Sequence, residues 1–193
     1  TIILALVTTN QSAFQLLSSW EKGIWDADLL VFAFQMMLML VLGHALALTN
    51  SINSLIKKVT VYCDNTANAA AIVCFLTIII SFFNWGLGLV FGAIFARKVG
   101  EHASEKKIKL NYPLIGACGY SGLMTWHGGL SGSIPIKVAE ENHLSKIINN
   151  PNLELPNMIS ISETTFSNMN IFVSLLLIIV FPLSVYIIGK RNE

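Results

Sequence analysis

Residues 120–135 read Tyr120-Ser121-Gly122-Leu123-Met124-Thr125-Trp126-His127-Gly128-Gly129-Leu130-Ser131-Gly132-Ser133-Ile134-Pro135, and this stretch decides how the chain is understood. It falls inside what should be a membrane-spanning segment. Yet it carries Gly122, Gly128, Gly129 and Gly132, the hydroxyls of Ser121, Thr125, Ser131 and Ser133, a Trp-His pair and a proline. A helix meant only as an anchor would not be written this way. Backbone that is neither helix nor closed sheet is tolerated at membrane depth only where it is buried in protein or lines a cavity. The stretch therefore points to a binding site.

The rest of the composition agrees with a membrane setting. Of 193 residues, 54% are hydrophobic and 12% charged, against roughly 25% charged in soluble domains. The mean hydropathy is +0.65. Charges cluster between long apolar runs, as in a polytopic membrane protein. A net charge of +1 gives no field that would favour nucleic acid. Cys63, Cys74 and Cys118 are scattered, so neither a disulfide framework nor a metal spacing follows from them. The chain begins at Thr1 with a short apolar run and no charged leader. Residues 1–9 thus read as the end of a truncated helix, and the chain as a piece of a longer protein.

Four hydrophobic blocks follow, at 27–49, 69–96, 113–138 and 171–189. A helix needs ~20 apolar residues to cross ~30 Å of hydrocarbon. The first and last blocks fit a plain transmembrane helix. Block 69–96 is too long for a straight crossing and is interrupted by Asn84-Trp85-Gly86-Leu87-Gly88; block 113–138 is broken by the glycine run. Between Gln11 and Trp25, apolar residues with Trp20 and Trp25 suit an interfacial helix. Residues 142–170, rich in Asn, Ser and Pro, read as an exposed loop. If 69–96 is a re-entrant helical hairpin, Lys57, Lys58, Arg97, Lys98, Lys106, Lys107, Lys109, Lys190 and Arg191 share one side and Lys22, Lys137 and Lys146 the other. A spanning, kinked helix also satisfies the positive-inside tendency. The hairpin is favoured because each arm looks too short to cross.

Two broken segments in one membrane protein are the sequence mark of a transporter, in which half-helix N-termini face anionic substrate groups and unwound carbonyls hold coupling cations. Ser131 or Ser133 is expected to cap a new helix starting near Ile134-Pro135, leaving free N–H groups for a carboxylate. Thr125, Ser121 and Ser131 are expected to add hydroxyl donors. Asn84 offers an amide that donates and accepts, and Gly86 and Gly88 would permit a tight tip. Glycines that serve only close helix packing are the competing explanation. His102 and His143 sit beside charged residues at segment ends. His44 and His127 lie inside apolar blocks, where ionisable residues are functional hypotheses. No Asp or Glu lies within an apolar core, so a buried carboxylate proton relay has no candidate.

These residues together resemble the short-chain fatty acid transporter family (AtoE-type permeases). The likeness rests on Trp20 to Trp25, Phe34-Gln35-Met36, Gly43-His44-Ala45-Leu46-Ala47, Asn84-Trp85-Gly86-Leu87-Gly88-Leu89-Val90, Ala96-Arg97, Tyr112-Pro113-Leu114, Trp126 through Pro135, and Phe166 with Asn170-Ile171-Phe172. It covers nearly the whole chain in order. The resemblance implies that this is about the N-terminal half of a permease, one inverted repeat of an ion-transporter-like architecture. In that architecture Asn84-Trp85-Gly86 is the hairpin tip and Trp126 to Ser133 the unwound loop.

The resulting expectation is an all-α polytopic membrane protein, with 1–193 a partial transporter domain, that takes up short-chain carboxylates such as acetoacetate or butyrate across the bacterial inner membrane by cation symport. Substrate-binding residues are Trp85, Trp126, His127, Gly128, Gly129, Ser131, Gly132 and Ser133, with the acyl tail on Trp85, Trp126 and Leu130. Ion-binding residues are Asn84, Gly86, Gly88 and Thr125, for Na⁺ or H⁺. No cofactor, other metal or nucleic acid is expected; the partners are the carboxylate, membrane lipids and, as an open option, a second copy in a homodimer. The alternatives are a membrane-embedded acyl-transfer enzyme using His127 as base, and a non-transporting channel or structural subunit.

Overall fold

The computed structural model describes residues 2–9, 11–148 and 153–191, apart from the side chains of Ala47 and Ile147. Thr1 of the expected N-terminal stub, residues 149–152 of the expected loop and the last two residues of the 1–193 domain lie outside the described residues. The described residues are all-helical, without strands, and divide into two units, up to Val41 and from Leu42 onward. Helices α3 (Ala27–Ala47), α5 (Thr66–Phe83) and α10 (Asn168–Arg191) are long and apolar enough to cross a membrane.

The first unit holds α1 (Ile2–Thr8), α2 (Ala13–Ile24) and most of α3. Ser12 and Gln15 start α2 with a reciprocal capping box: Ser12 N–H donates to Gln15 Oε1 at 2.8 Å and Gln15 N–H to Ser12 Oγ at 3.3 Å. Asp26 Oδ1 accepts from Leu29 N–H at 2.9 Å at the head of α3. Neither α1 nor α2 buries a residue. α3 is apolar around its whole circumference, as a helix facing lipid or other membrane protein is.

The second unit is built around α5. Asn65 caps it, its Oδ1 accepting from Asn68 N–H at 2.8 Å. After the single residue Asn84 the chain returns as α6 (Trp85–Lys106). The arms are antiparallel, since Ser81 of α5 meets Gly88 of α6 and Thr77 meets Gly92. α7 (Tyr112–Gly119) begins beside the start of α5, where Asn111 N–H donates to Thr66 Oγ1 at 3.1 Å, and its Gly119 abuts Gly92. A 3₁₀ turn (Ser121–Thr125) carries Gly122 to Ser81. α10 runs back along α5: Asn170 at its start holds Gly128, and Gly189 at its end lies against Ala67. Small residues at these crossings let the helices approach closely. Val73, Cys74, Ile78, Phe91, Phe95, Val99, Ile115 and Cys118 fill the core between the helices.

Four expectations change. The exposed loop 142–170 contains a short helix, α9 (His143–Ile148). An unanticipated amphipathic helix, α4 (Asn50–Thr60), buries Ile56 and Thr60 and exposes Lys57 and Lys58. The arms of 69–96 are longer than expected: at ~1.5 Å per residue, the 18 residues of α5 span about 27 Å. Arm length therefore no longer argues against crossing. Finally, no described glycine has a positive φ, and Gly86 and Gly88 sit in regular helix. The tip is turned by Asn84 alone, at φ −149° and ψ 112°, and Gly88 instead admits Ser81.

Candidate functional site

Asn84 closes one helix and opens the next with its own atoms. Its N–H donates to Ile80 O at 2.9 Å, its Oδ1 accepts from Leu87 N–H at 2.8 Å, and its carbonyl accepts from Gly88 N–H at 2.9 Å. A helix leaves four N–H groups without intrahelical partners at its start. For α6 they are those of the N-cap Asn84, met by Ile80 O, of Leu87, met by Asn84 Oδ1, and of Trp85 and Gly86. The Trp85 N–H donates to Ser131 Oγ at 2.9 Å, across 46 residues of chain. The Gly86 N–H is the one of the four that these bonds leave over.

The broken segment lies against this tip. Leu130 N–H donates to Phe82 O at 2.8 Å, taking one of the end carbonyls of α5. Gly129 is needed there, because a Cβ would stand 2.6 Å from Phe82 O. Asn170 Nδ2 donates to Gly128 O at 2.8 Å and to Thr165 O at 2.7 Å, clamping the segment to the head of α10. The chain then resumes as α8 (Ser133–Val138).

Here the expected cap is corrected. Gly132 is the N-cap of α8, and neither Ser131 nor Ser133 supplies a side-chain cap. Ser131 is directed at α6 instead, because the unwound backbone brings it to the tip. The hydroxyl donors are corrected too. Thr125 gives its proton to Gly122 O at 3.1 Å and Ser121 gives its own to Cys118 O at 2.7 Å, so both are spent on backbone.

Aromatic rings close the site. Trp85 and Trp126 have ring centroids 4.7 Å apart at 31°, and the His127 ring stacks on Trp126 at 4.6 Å and 14°. Trp85 is only 8% exposed, whereas His127 is exposed. Among the described residues the buried side-chain polar atoms without a partner are Trp85 Nε1, Trp126 Nε1 and Ser133 Oγ at the two breaks, and Thr77 Oγ1 and Ser81 Oγ on α5. No group of three or more His, Cys, Asp or Glu residues among the described residues could hold a metal ion.

The structure therefore gathers Asn84, Trp85 and Gly86 with Trp126, His127, Gly128, Gly129 and Ser131. Gly88 packs against Ser81, and the Thr125 hydroxyl donates to Gly122 O. His44 is exposed on the last turn of α3. Phe82 and Thr165 were missed by sequence reasoning, and Asn170 was noted only for the resemblance. Thr77 and Ser81, four apart on an apolar helix, did carry a signal as an i, i+4 polar stripe.

Charge gathers at the other end of the second unit. Lys57 and Lys98 line one small cavity there. Hydrogen bonds from Lys98 and Arg97 hold the Glu101 carboxyl below the ordinary carboxylate range. Burial, with Asp64 adding to it, pushes the Cys63 thiol up to about 12. Beyond α8, the Lys137 ammonium holds the Glu140 carboxyl low.

A family model described as "Short chain fatty acid transporter" matches residues 1–193. The chain is 36% identical over 182 residues to a protein of Escherichia coli (strain K12), covering 94% of this chain and 38% of that protein. It is 35% identical over 196 residues to one of Haemophilus influenzae (strain ATCC 51907 / DSM 11121 / KW20 / Rd), covering 100% of this chain and 42% of that protein. Both carry the name "Putative short-chain fatty acid transporter". The chain thus spans about two fifths of the length of these curated relatives. No solved structure matches it.

Proposed function

Because the chain belongs to the short chain fatty acid transporter family, we propose that it forms one repeat of a secondary transporter that carries short-chain monocarboxylates such as acetoacetate or butyrate into the cell by symport with Na⁺ or H⁺. The family is one of transporters, not of enzymes. The protein would be an integral one of the bacterial inner membrane, with lipid covering the exposed apolar faces of α3 and α10.

The observation that carries this reading is the Ser131 Oγ bond to Trp85 N–H, which joins the tip and the unwound segment into one locus that still holds unpartnered donors. Half-helix ends meeting at a break are where transporters take substrate and ion. The carboxylate would sit beside the joined tip and Ser131, with its acyl tail along Leu130, and the cation beside Asn84 and nearby carbonyls. In the bilayer α5 and α6 would enter and leave by one face. The antiparallel course of the two arms about the single residue Asn84, with Ser81 against Gly88 and Thr77 against Gly92, supports that hairpin. A second inverted repeat would complete the site.

The test is uptake of labelled butyrate by the full-length protein in proteoliposomes, with Na⁺ and pH gradients imposed separately. Accumulation above equilibrium under one gradient is expected. Accumulation under neither would end the symport reading, even if binding survived.

A further inference from the structure

We infer that the indole N–H groups of Trp85 and Trp126 are hydrogen-bond donors to the substrate's carboxylate, and not merely a surface for its acyl tail. The inference rests on the transporter reading above and names how that site would recognise an anion. Trp85 is the first residue of the 22-residue helix α6 and is 8% exposed. Its Nε1, like that of Trp126, is buried without a partner. An indole nitrogen can only donate, and burying a donor without an acceptor leaves its desolvation uncompensated.

One such orphan would be a packing defect. Here two lie on rings 4.7 Å apart, at a helix N-terminus where the Gly86 N–H is also left over. Ser131 Oγ accepts the Trp85 N–H and so keeps its own proton to give. Every one of these groups is a donor, and they lie on residues packed together at the positive end of a helix dipole. What they lack is an acceptor with several lone pairs and a negative charge, which a carboxylate supplies. His127 stacks on Trp126 at the edge of this locus, and the next basic residue along the chain from Trp126 is Lys137 in α8. With no Lys or Arg between Trp126 and Ser133, the anion would be held chiefly by N–H and O–H dipoles.

The experiment uses the full-length protein in nanodiscs with ¹⁵N-indole tryptophan, titrated with sodium butyrate and with butyramide, its neutral isostere. Two indole proton resonances should move downfield with butyrate and stay in place with butyramide. In proteoliposomes, Trp85→Phe and Trp126→Phe keep the stacked ring and remove the donor. Each should raise the KM for butyrate about tenfold or more, the effect of one hydrogen bond to a charged group, with Vmax within about twofold of the wild type. Unchanged KM in both variants overturns the inference, as does a wild-type protein that takes up butyrate while no indole resonance moves; the transporter reading survives either result. If the wild type takes up no butyrate at all, that reading fails and the inference with it. Should the Phe variants not reach the membrane, the wild-type titration decides alone.

Discussion

The two breaks in the second unit solve the same problem in opposite ways. At the hairpin tip, one residue satisfies most of what the break exposes: Asn84 closes α5, caps α6 and turns the chain. At the unwound segment, nothing local suffices. Its Leu130 N–H is met by Phe82, its Gly128 carbonyl by Asn170, and its Ser131 hydroxyl by Trp85. All three partners are about 40 or more residues away. A break that is satisfied locally is rigid by itself, whereas one satisfied at a distance is only as rigid as the helices that bring its partners. The unwound segment is thus the part whose conformation reports on the packing of α5, α6 and α10.

The sharpest way to break this contrast is steric. Gly129→Val puts a side chain against the Phe82 carbonyl, a backbone atom held in α5. Overpacking of this kind costs about 3 kcal/mol, so the variant should lose most of its folded, monodisperse fraction in detergent. Gly116→Ala, where nothing lies within 4 Å, should leave that fraction unchanged. Equal behaviour of the two would mean that the segment does not dock on Phe82.

Next comes Asn170→Asp. It replaces a donor shared by two carbonyls with a carboxylate oxygen that both repel. Losing those bonds should cost about 2 kcal/mol and shift protease sensitivity at the unwound segment before the hairpin is affected. At the tip the same exchange is mild. Asn84→Asp keeps the oxygen that accepts from Leu87, and should fold like the wild type. Asn84→Ala should lose about 1 kcal/mol, the usual worth of a helix cap, read as a drop in thermal midpoint.

The contrast also explains what could be read from sequence. A lone Asn between two apolar runs, followed by Trp-Gly-Leu-Gly, marked the tip because capping is a local property. The glycine and serine run marked a break for the same reason. What Ser131 does there was not legible. Local rules made it the cap of its own helix, while the fold spends it on a helix 46 residues earlier. Asn170 stood in an Asn-rich stretch where every neighbour looked equally polar, and only the return of α10 along α5 singles it out. Arm length was not legible either, because polar Thr66 and Asn68 stand before the apolar block, while Asn65 caps a helix that already includes them.

The smallest expected effect lies at the far end of the unwound segment, where α8 leads into α9. Lys137 Nζ donates to both oxygens of Glu140, at 2.9 and 3.1 Å, and the Glu140 side chain is 47% exposed. The carboxyl is held below its ordinary 4.5, first by the Lys137 hydrogen bond. A lowered folded-state value means the pair stabilises above pH 4.5, and that contribution fades as pH falls through the folded value. Solvent screening limits such exposed pairs to about 0.2–1 kcal/mol. Glu140→Gln should therefore abolish the low-pH loss of stability in this region while changing the thermal midpoint at pH 7 by about a degree. A change as large as that of Asn170→Asp would mean that ion pairing, not the reach to α5 and α10, holds the segment in place, and the distinction between the two breaks would fall.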